Sequence, residues 1–405
     1  MNYKKIGLIP WLLIIVIWPF LPAWISLFAR DWLMMPLLTI VSIYYVRPYF
    51  TTRVFAYSLL LFVILFLNAL LRPNGDDSFI LTVIRICGFI SVTAFSFYFF
   101  TKANNNQIRL LCMATIYMLV FTTISTVILH FSFPGAVRNA VGGDLDKEEK
   151  LLALSLQRLG LSSYNIIHAL PCLVPAFIMG FKAKWLSIKE RLFYLIMAGF
   201  CIIHNYITGF TTPFLLSITA FVMSLFIPIG NRQSRGFLIA VYVILGLIIT
   251  TPGVMSGITS FLSNLVGADF GQVQDRLGEI NEYTQTGDTS VGDIGARMYQ
   301  YNISLDTFKD NMLIGAGATL GGHSFILDTL AIYGLLGFAA YLLYFVSQFK
   351  IISKHLDYNS NTFYYLSIIT TAIMLMSKNT GTWTTWCFLF IITPLMIHYI
   401  YLKKI

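Results

Sequence analysis

The chain has 405 residues, of which 57% are hydrophobic and only 11% charged, and it carries a formal net charge of +9. Its mean hydropathy is +0.75, whereas a soluble globular chain carries about 25% charge, so water is excluded as its main solvent. The basic excess lies in short loops between apolar runs, which excludes a nucleic-acid-binding surface and makes the charge a signal of topology.

About 20 apolar residues cross a bilayer as a helix, while the strands of a membrane barrel alternate in polarity over about ten residues. The runs here are continuously apolar, so the predicted fold is all-α and polytopic. In chain order the predicted spans are 6–28, 32–46, 54–71, 78–100, 108–131, 165–181, 192–207, 211–227, 236–252, 324–349, 362–377 and 384–402. The second is short and the pair at 192–227 is joined by a tight polar turn, so the count is eleven or twelve. Lys4 and Lys5 precede a long apolar run, a pattern expected of a first span rather than a cleaved leader. The five cysteines, at 87, 112, 172, 201 and 387, sit inside apolar runs without a pairing pattern and read as small packing residues.

Twelve spans sort the loops into two sets. One set, which includes both termini, holds sixteen of the 27 basic residues and two acids, Glu190 and Asp357. Short basic loops stay cytoplasmic, so both termini are expected inside. Two long polar stretches then fall outside a single membrane domain covering 1–405: a loop at 132–164 and a larger subdomain at 253–323. The first carries Arg138, the acidic run from Asp144 to Glu149, and Arg158. The second carries Arg276, a helix expected from Asp269, and a loop over 286–292. A further amphipathic helix is expected from about Ile294, with Met298, Tyr301, Leu305 and Phe308 at helical spacing. The stretch 311–322 is glycine-rich and must turn.

Residues 295–337 read GARMYQYNISLDTFKDNMLIGAGATLGGHSFILDTLAIYGLLG. This segment resembles the O-antigen polymerase and ligase superfamily, which contains the Wzy-type polymerases and the WaaL-type ligases. Its members carry an arginine opening an external helix, an apolar-Gly-x-Gly turn, a histidine at the lip of a span, and Gly-apolar-apolar-Gly within that span. Here these correspond to Arg297; Leu313, Ile314, Gly315, Ala316 and Gly317; His323; and Gly334, Leu335, Leu336 and Gly337. The family often has proline before the turn and asparagine after the histidine, where this chain has Met312 and Ser324.

The resemblance implies a GT-C-like glycosyltransferase of a bacterial inner membrane, working on its outer face with glycans linked to undecaprenyl diphosphate. Repeat-unit polymerisation is the leading expectation and transfer of finished glycan to lipid A core the alternative. A lipid-linked oligosaccharide flippase is the reading from another class, disfavoured because the halves do not repeat and polar mass concentrates in external loops. Membrane lipids, a chain-length regulator and a flippase are the expected partners. No cofactor is expected.

The residue chemistry is compatible with that class. Breaking a sugar–diphosphate bond leaves a multiply charged leaving group that needs cationic stabilisation. Arginine offers a planar fork that never loses its proton. Arg297 and Arg158 are the preferred external arginines for this role, with Arg276 behind them. Arg85 lies inside a predicted span, where a charge marks function unless it snorkels to the interface. His323 is expected to take the acceptor proton, and Asp328, five residues on, to orient it or pair an arginine. His168 and His204 read as packing residues, Lys378 as an external residue that could meet the donor, with a headgroup contact preferred, and Trp383 and Trp386 as parts of an interfacial belt. Asp144 and Asp146 have metal-binding DxD spacing but stand in a general acidic run. Asp31, beside Arg30, is a weaker catalytic candidate.

Overall fold

The computed structural model describes residues 7–25, 31–71, 79–133, 147–227, 292–317 and 322–404, with the single positions 278, 281 and 282. The predicted span 236–252, the helix from Asp269, Arg30, Arg138, the acidic run to residue 146, and Arg276 lie outside the described residues. What is described is helical, without a strand.

The elements are α1 (Ile9–Phe20), α2 (Asp31–Tyr45), α3 (Arg53–Leu71), α4 (Phe79–Thr101), α5 (Asn105–Ser132), α6 (Lys147–Arg158), α7 (Tyr164–Lys182), α8 (Ile188–Ile207), α9 (Thr211–Phe226), α10 (Gly292–Asp310), α11 (Phe325–Lys354), α12 (Tyr358–Ser377) and α13 (Trp383–Leu402). Six of them (α3, α4, α5, α7, α11 and α13) are long and apolar enough to cross a membrane. The outer surface of the bundle fits that solvent. Ile40, Ile80, Phe131 and Phe226 are all exposed, a pattern that is costly in water and neutral against lipid tails.

The interior is aromatic near α11 and α13. Trp386 packs against Phe345 (ring centroids 4.8 Å apart), Phe325 (5.5 Å) and Phe89 (6.1 Å). Trp383 stacks on Trp18 at 4.7 Å. Trp386 is a core residue, which corrects its assignment to an interfacial belt, while Trp383 is partly buried against that core. Composition could not separate the two, because both roles call for a large amphipathic ring.

One end of the bundle gathers basic groups. Lys182 Nζ donates to the carbonyl of Leu225 at 2.5 Å and also to that of Ile227, satisfying orphan carbonyls at the end of α9. Glu190 closes a capping box with Ser187 at the start of α8 and pairs with Lys403 Nζ at 2.9 Å. Arg191 donates to the Phe181 carbonyl.

The far part of the fold turns on a break in α11. Gly334 has φ +64 and ψ −168, which no helix contains. The break separates Leu335 N–H from the Ala331 carbonyl and Leu336 N–H from the Ile332 carbonyl, the partners an α-helix would give them. A turn from the segment before α11 replaces both bonds on both sides. Leu335 and Leu336 N–H donate to the carbonyls of Met312 (2.8 Å) and Leu313 (3.2 Å). The Ala331 and Ile332 carbonyls accept from Ala316 N–H (2.7 Å) and Gly317 N–H (3.0 Å). The two glycine-bearing stretches of the sequence are thus one interlocked unit. Only glycine fits at its centre: a Cβ on Gly315 would lie 2.3 Å from the Ile332 carbonyl oxygen, and one on Gly334 would lie 2.5 Å from Gly315 N.

Gly315→Ala and Gly334→Ala are each expected to destabilise the folded protein by about 3 kcal/mol or more, combining left-handed strain with backbone clash. Gly322→Ala, with φ +75 but no heavy atom of the described residues within 4 Å, is expected to cost about 1–2 kcal/mol. Thermal unfolding in detergent checks the order. Equal losses at all three positions would show that the interlock carries no special weight.

Candidate functional site

Helix α10 packs along α11, and its inward face is polar. Arg297 and Tyr301 are half-buried and Ser304 is buried, whereas Leu305 is 39% exposed. The helix begins at Gly292, two residues before the expected start, and its packed face departs from the expected apolar stripe at Leu305. The reason is specific hydrogen bonding. Ser304 Oγ donates to Asp328 Oδ1 at 2.8 Å, and Tyr301 Oη donates to the Ser377 carbonyl at 3.0 Å. Burial raises the Tyr301 hydroxyl above the usual phenol range, with the Arg297 charge opposing that rise.

Asp328 is 4% exposed in the first turn of α11, whose start is capped by Ser324 Oγ accepting from Leu327 N–H. Its second oxygen accepts from Asn379 Nδ2 at 2.9 Å. Three segments far apart in sequence (α10, α11 and the loop before α13) therefore meet on this one carboxyl group. His323 stands at the lip of α11, one residue before the Ser324 cap. Ser304 and Asn379 donate to the Asp328 carboxylate from other segments, and the backbone N–H groups of Gly322 and Ser324 also face it.

Arg85 reaches across from α4, and its Nη1 donates to Tyr333 Oη at 3.2 Å. Arg85, Asp328, Tyr333, Asn379, Thr329 and Tyr341 line a cleft of about 80 Å³. Arg85 is itself exposed, so it both reaches solvent and borders the cleft. Tyr333 also walls a second, apolar groove of about 410 Å³ between α3 and α11, lined by Ile64, Leu67, Ile314, Leu336 and Leu343. The side chain of Tyr333 directly precedes Gly334, so the interlock positions it.

Lys378 is 9% exposed, which corrects its reading as a headgroup contact. It lies in the turn after α12, where its carbonyl accepts from Phe325 N–H at 3.3 Å. Tyr301, one turn along α10 from Arg297, donates to the carbonyl of Ser377, next to Lys378. Nothing in the local pattern around Lys378 signals burial, since the turn is covered by elements from elsewhere in the chain. Arg158, by contrast, is exposed at the end of α6, and its carbonyl accepts from Trp24 Nε1 at 2.8 Å. It does not line the cleft. Arg276 lies outside the described residues.

The cleft therefore joins Arg85, Asp328, Tyr333 and Asn379, with His323 at the start of α11, and Arg297 and Lys378 on the neighbouring α10 and turn. Tyr333 and Asn379 carry no sequence signal, because the contacts that unite them with Arg85 and Asp328 cross between helices. No model of a known protein family matches the chain, and no curated protein matches it in sequence.

Removing the shared acceptor should be costly. Asp328→Ala leaves Ser304 Oγ and Asn379 Nδ2 without their partner and is expected to destabilise by about 2–3 kcal/mol. Ser304→Ala should cost about 1 kcal/mol, and the double variant less than the sum of the two. Thermal unfolding of the four proteins reads this directly, and strict additivity would contradict a shared bond.

Proposed function

We propose that this chain is a polytopic membrane glycosyltransferase of twelve spans, with both termini cytoplasmic and its site on the outer side of a bacterial inner membrane. It lengthens glycans carried on undecaprenyl diphosphate, as a polymerase of O-antigen, capsule or exopolysaccharide repeat units. The observation that carries this reading is that the Arg297 helix, the Gly315 turn and Gly334 form one packed unit beside a cleft walled by Arg85 and Asp328, with His323 at the start of the same α11. In the sequence Arg297, Gly315, His323 and Gly334 are separate pieces of the motif resembling the O-antigen polymerase and ligase superfamily.

In the proposed reaction the acceptor sugar hydroxyl loses its proton to His323, and its oxygen attacks the anomeric carbon of the lipid-linked glycan. The bond from that carbon to the diphosphate oxygen breaks, and the electron pair leaves on the polyprenyl diphosphate. Arg297 and Arg85 supply the cationic charge for that leaving group, with Arg158 and Arg276 as further candidates. Asp328 keeps Ser304 of the Arg297 helix and Asn379 at the cleft. A ligase that moves finished glycan to lipid A core would use the same donor and the same residues; it is the second reading.

Arg297→Ala is expected to abolish polymer at normal protein level, and Arg297→Lys to restore it only in part, because the fork is lost. His323→Ala should reduce transfer by about 10²-fold while donor binding survives. Full activity of Arg297→Ala would remove the assignment. Loss of the gene distinguishes the two readings: a polymerase leaves single repeats on the lipid carrier, and a ligase leaves full-length glycan there.

The topology has its own test. Single cysteines at 145 and 288 should react with an impermeant thiol reagent from outside intact cells, and one at 187 should not. The reverse pattern would overturn the orientation.

A further inference from the structure

Two histidines are buried in the helices beside the site, and their surroundings differ. His204 is satisfied on both nitrogens, by Thr123 Oγ1 at 3.1 Å and Ser162 Oγ at 2.7 Å. It is a packing residue. His168 is 3% exposed, and its Nδ1 lies 2.8 Å from the Tyr164 carbonyl. A carbonyl only accepts, so that nitrogen carries the hydrogen. Nε2 of the neutral ring then holds a bare lone pair, and it has no partner among the described residues.

Buried polar atoms are ordinarily paired, and His168 Nε2 is one of several orphans in neighbouring elements. Ser163 Oγ, Thr211 Oγ1, Thr380 Oγ1 and Thr382 Oγ1 also lack partners among the described residues. Ser163 precedes the first turn of α7, which packs on Trp383–Cys387 just beyond the two threonines. Phe210, next to Thr211, meets the rings of Tyr164 (5.5 Å) and His168 (5.6 Å). Lys378 stands two residues before Thr380, and Tyr301, one turn along α10 from Arg297, donates to the carbonyl of the neighbouring Ser377.

We propose that His168 is the anchor of a sugar-binding subsite, its Nε2 accepting a hydrogen bond from a hydroxyl of the glycan while Lys378 and Arg297 face the adjoining phosphate. The assignment follows from donor and acceptor chemistry. A lone pair must be met by a donor, which a phosphate anion lacks and a sugar hydroxyl has. The orphaned serine and threonine hydroxyls donate or accept as required, which suits a polyhydroxy ligand. Cations alongside suit a sugar attached to phosphate. This proposal rests on the glycosyl-transfer reading and adds a residue that reading does not use.

The test uses the full chain in lipid nanodiscs with ¹⁵N-labelled histidine, the six histidines giving separable ring signals. The His168 signals are assigned by their loss in His168→Gln. Three probes are added separately: farnesyl diphosphate, farnesyl diphospho-N-acetylglucosamine, and a mixture of methyl hexosides, N-acetylhexosaminides and hexuronides. The proposal expects the His168 Nε2 signal to move with a sugar-bearing probe and not with farnesyl diphosphate. It also expects His168→Leu to weaken binding of that probe about tenfold, the loss of one hydrogen bond, without affecting farnesyl diphosphate. Movement with the methyl glycosides alone supports the sugar subsite while removing the lipid-diphosphate reading. No movement with any probe, or equal movement with the sugarless diphosphate, overturns the proposal, and water is then the partner of the ring.

Discussion

An apolar helix cannot be interrupted without new partners for the backbone groups it releases. Each unsatisfied N–H or C=O in a lipid-like setting costs several kcal/mol. At Gly334 this chain opens two helical hydrogen bonds and closes four others, all to residues of the 312–317 turn. Much of the site depends on that exchange. It fixes where α10 enters, because the turn follows directly on Asp310. It presents Tyr333 to Arg85, and it sets the first, separate stretch of α11 that carries Asp328.

Side-chain polarity then builds on the backbone arrangement. A buried carboxylate is tolerated only where donors meet it, and Ser304 and Asn379 supply them from two different segments. The Asp328 carboxyl is consequently a junction between α10 and the turn before α13, as well as a wall of the cleft. Arg85 and Tyr333 close the other wall, where the polar cleft and the apolar groove share one side chain. A lipid with a charged head and an apolar tail has that same division, and this is why the juxtaposition favours a lipid-linked substrate in the proposed reaction.

The helices were legible in the sequence because continuous apolar runs need no tertiary knowledge. The motif residues Arg297, Gly315, His323 and Gly334 were legible as a group, but their mutual geometry was not. Backbone pairing between residues about twenty apart leaves no periodic signal, and glycine is equally at home in a loop or a helix break. The burial of Lys378 and Trp386 was not legible for one reason: each is covered by elements distant in the chain. His168 shows the opposite limit. Its burial was expected, but whether a buried nitrogen is satisfied depends on atoms no spacing rule reaches, as the contrast with His204 demonstrates. Leu305 faces outward because α10 docks through hydrogen bonds, and an apolar-periodicity rule does not weigh those.

In the proposed function this interlocked unit transfers glycan between lipid-linked carriers. Purified protein in nanodiscs, supplied only with radiolabelled lipid-linked repeat units from the source cells, tests it most directly. The account predicts a ladder of products that lengthen with time while free polyprenyl diphosphate is released in proportion. Unchanged repeats, alongside efficient glycosylation of an added lipid A core, would contradict polymerisation, and unchanged repeats with either acceptor would contradict glycosyl transfer itself.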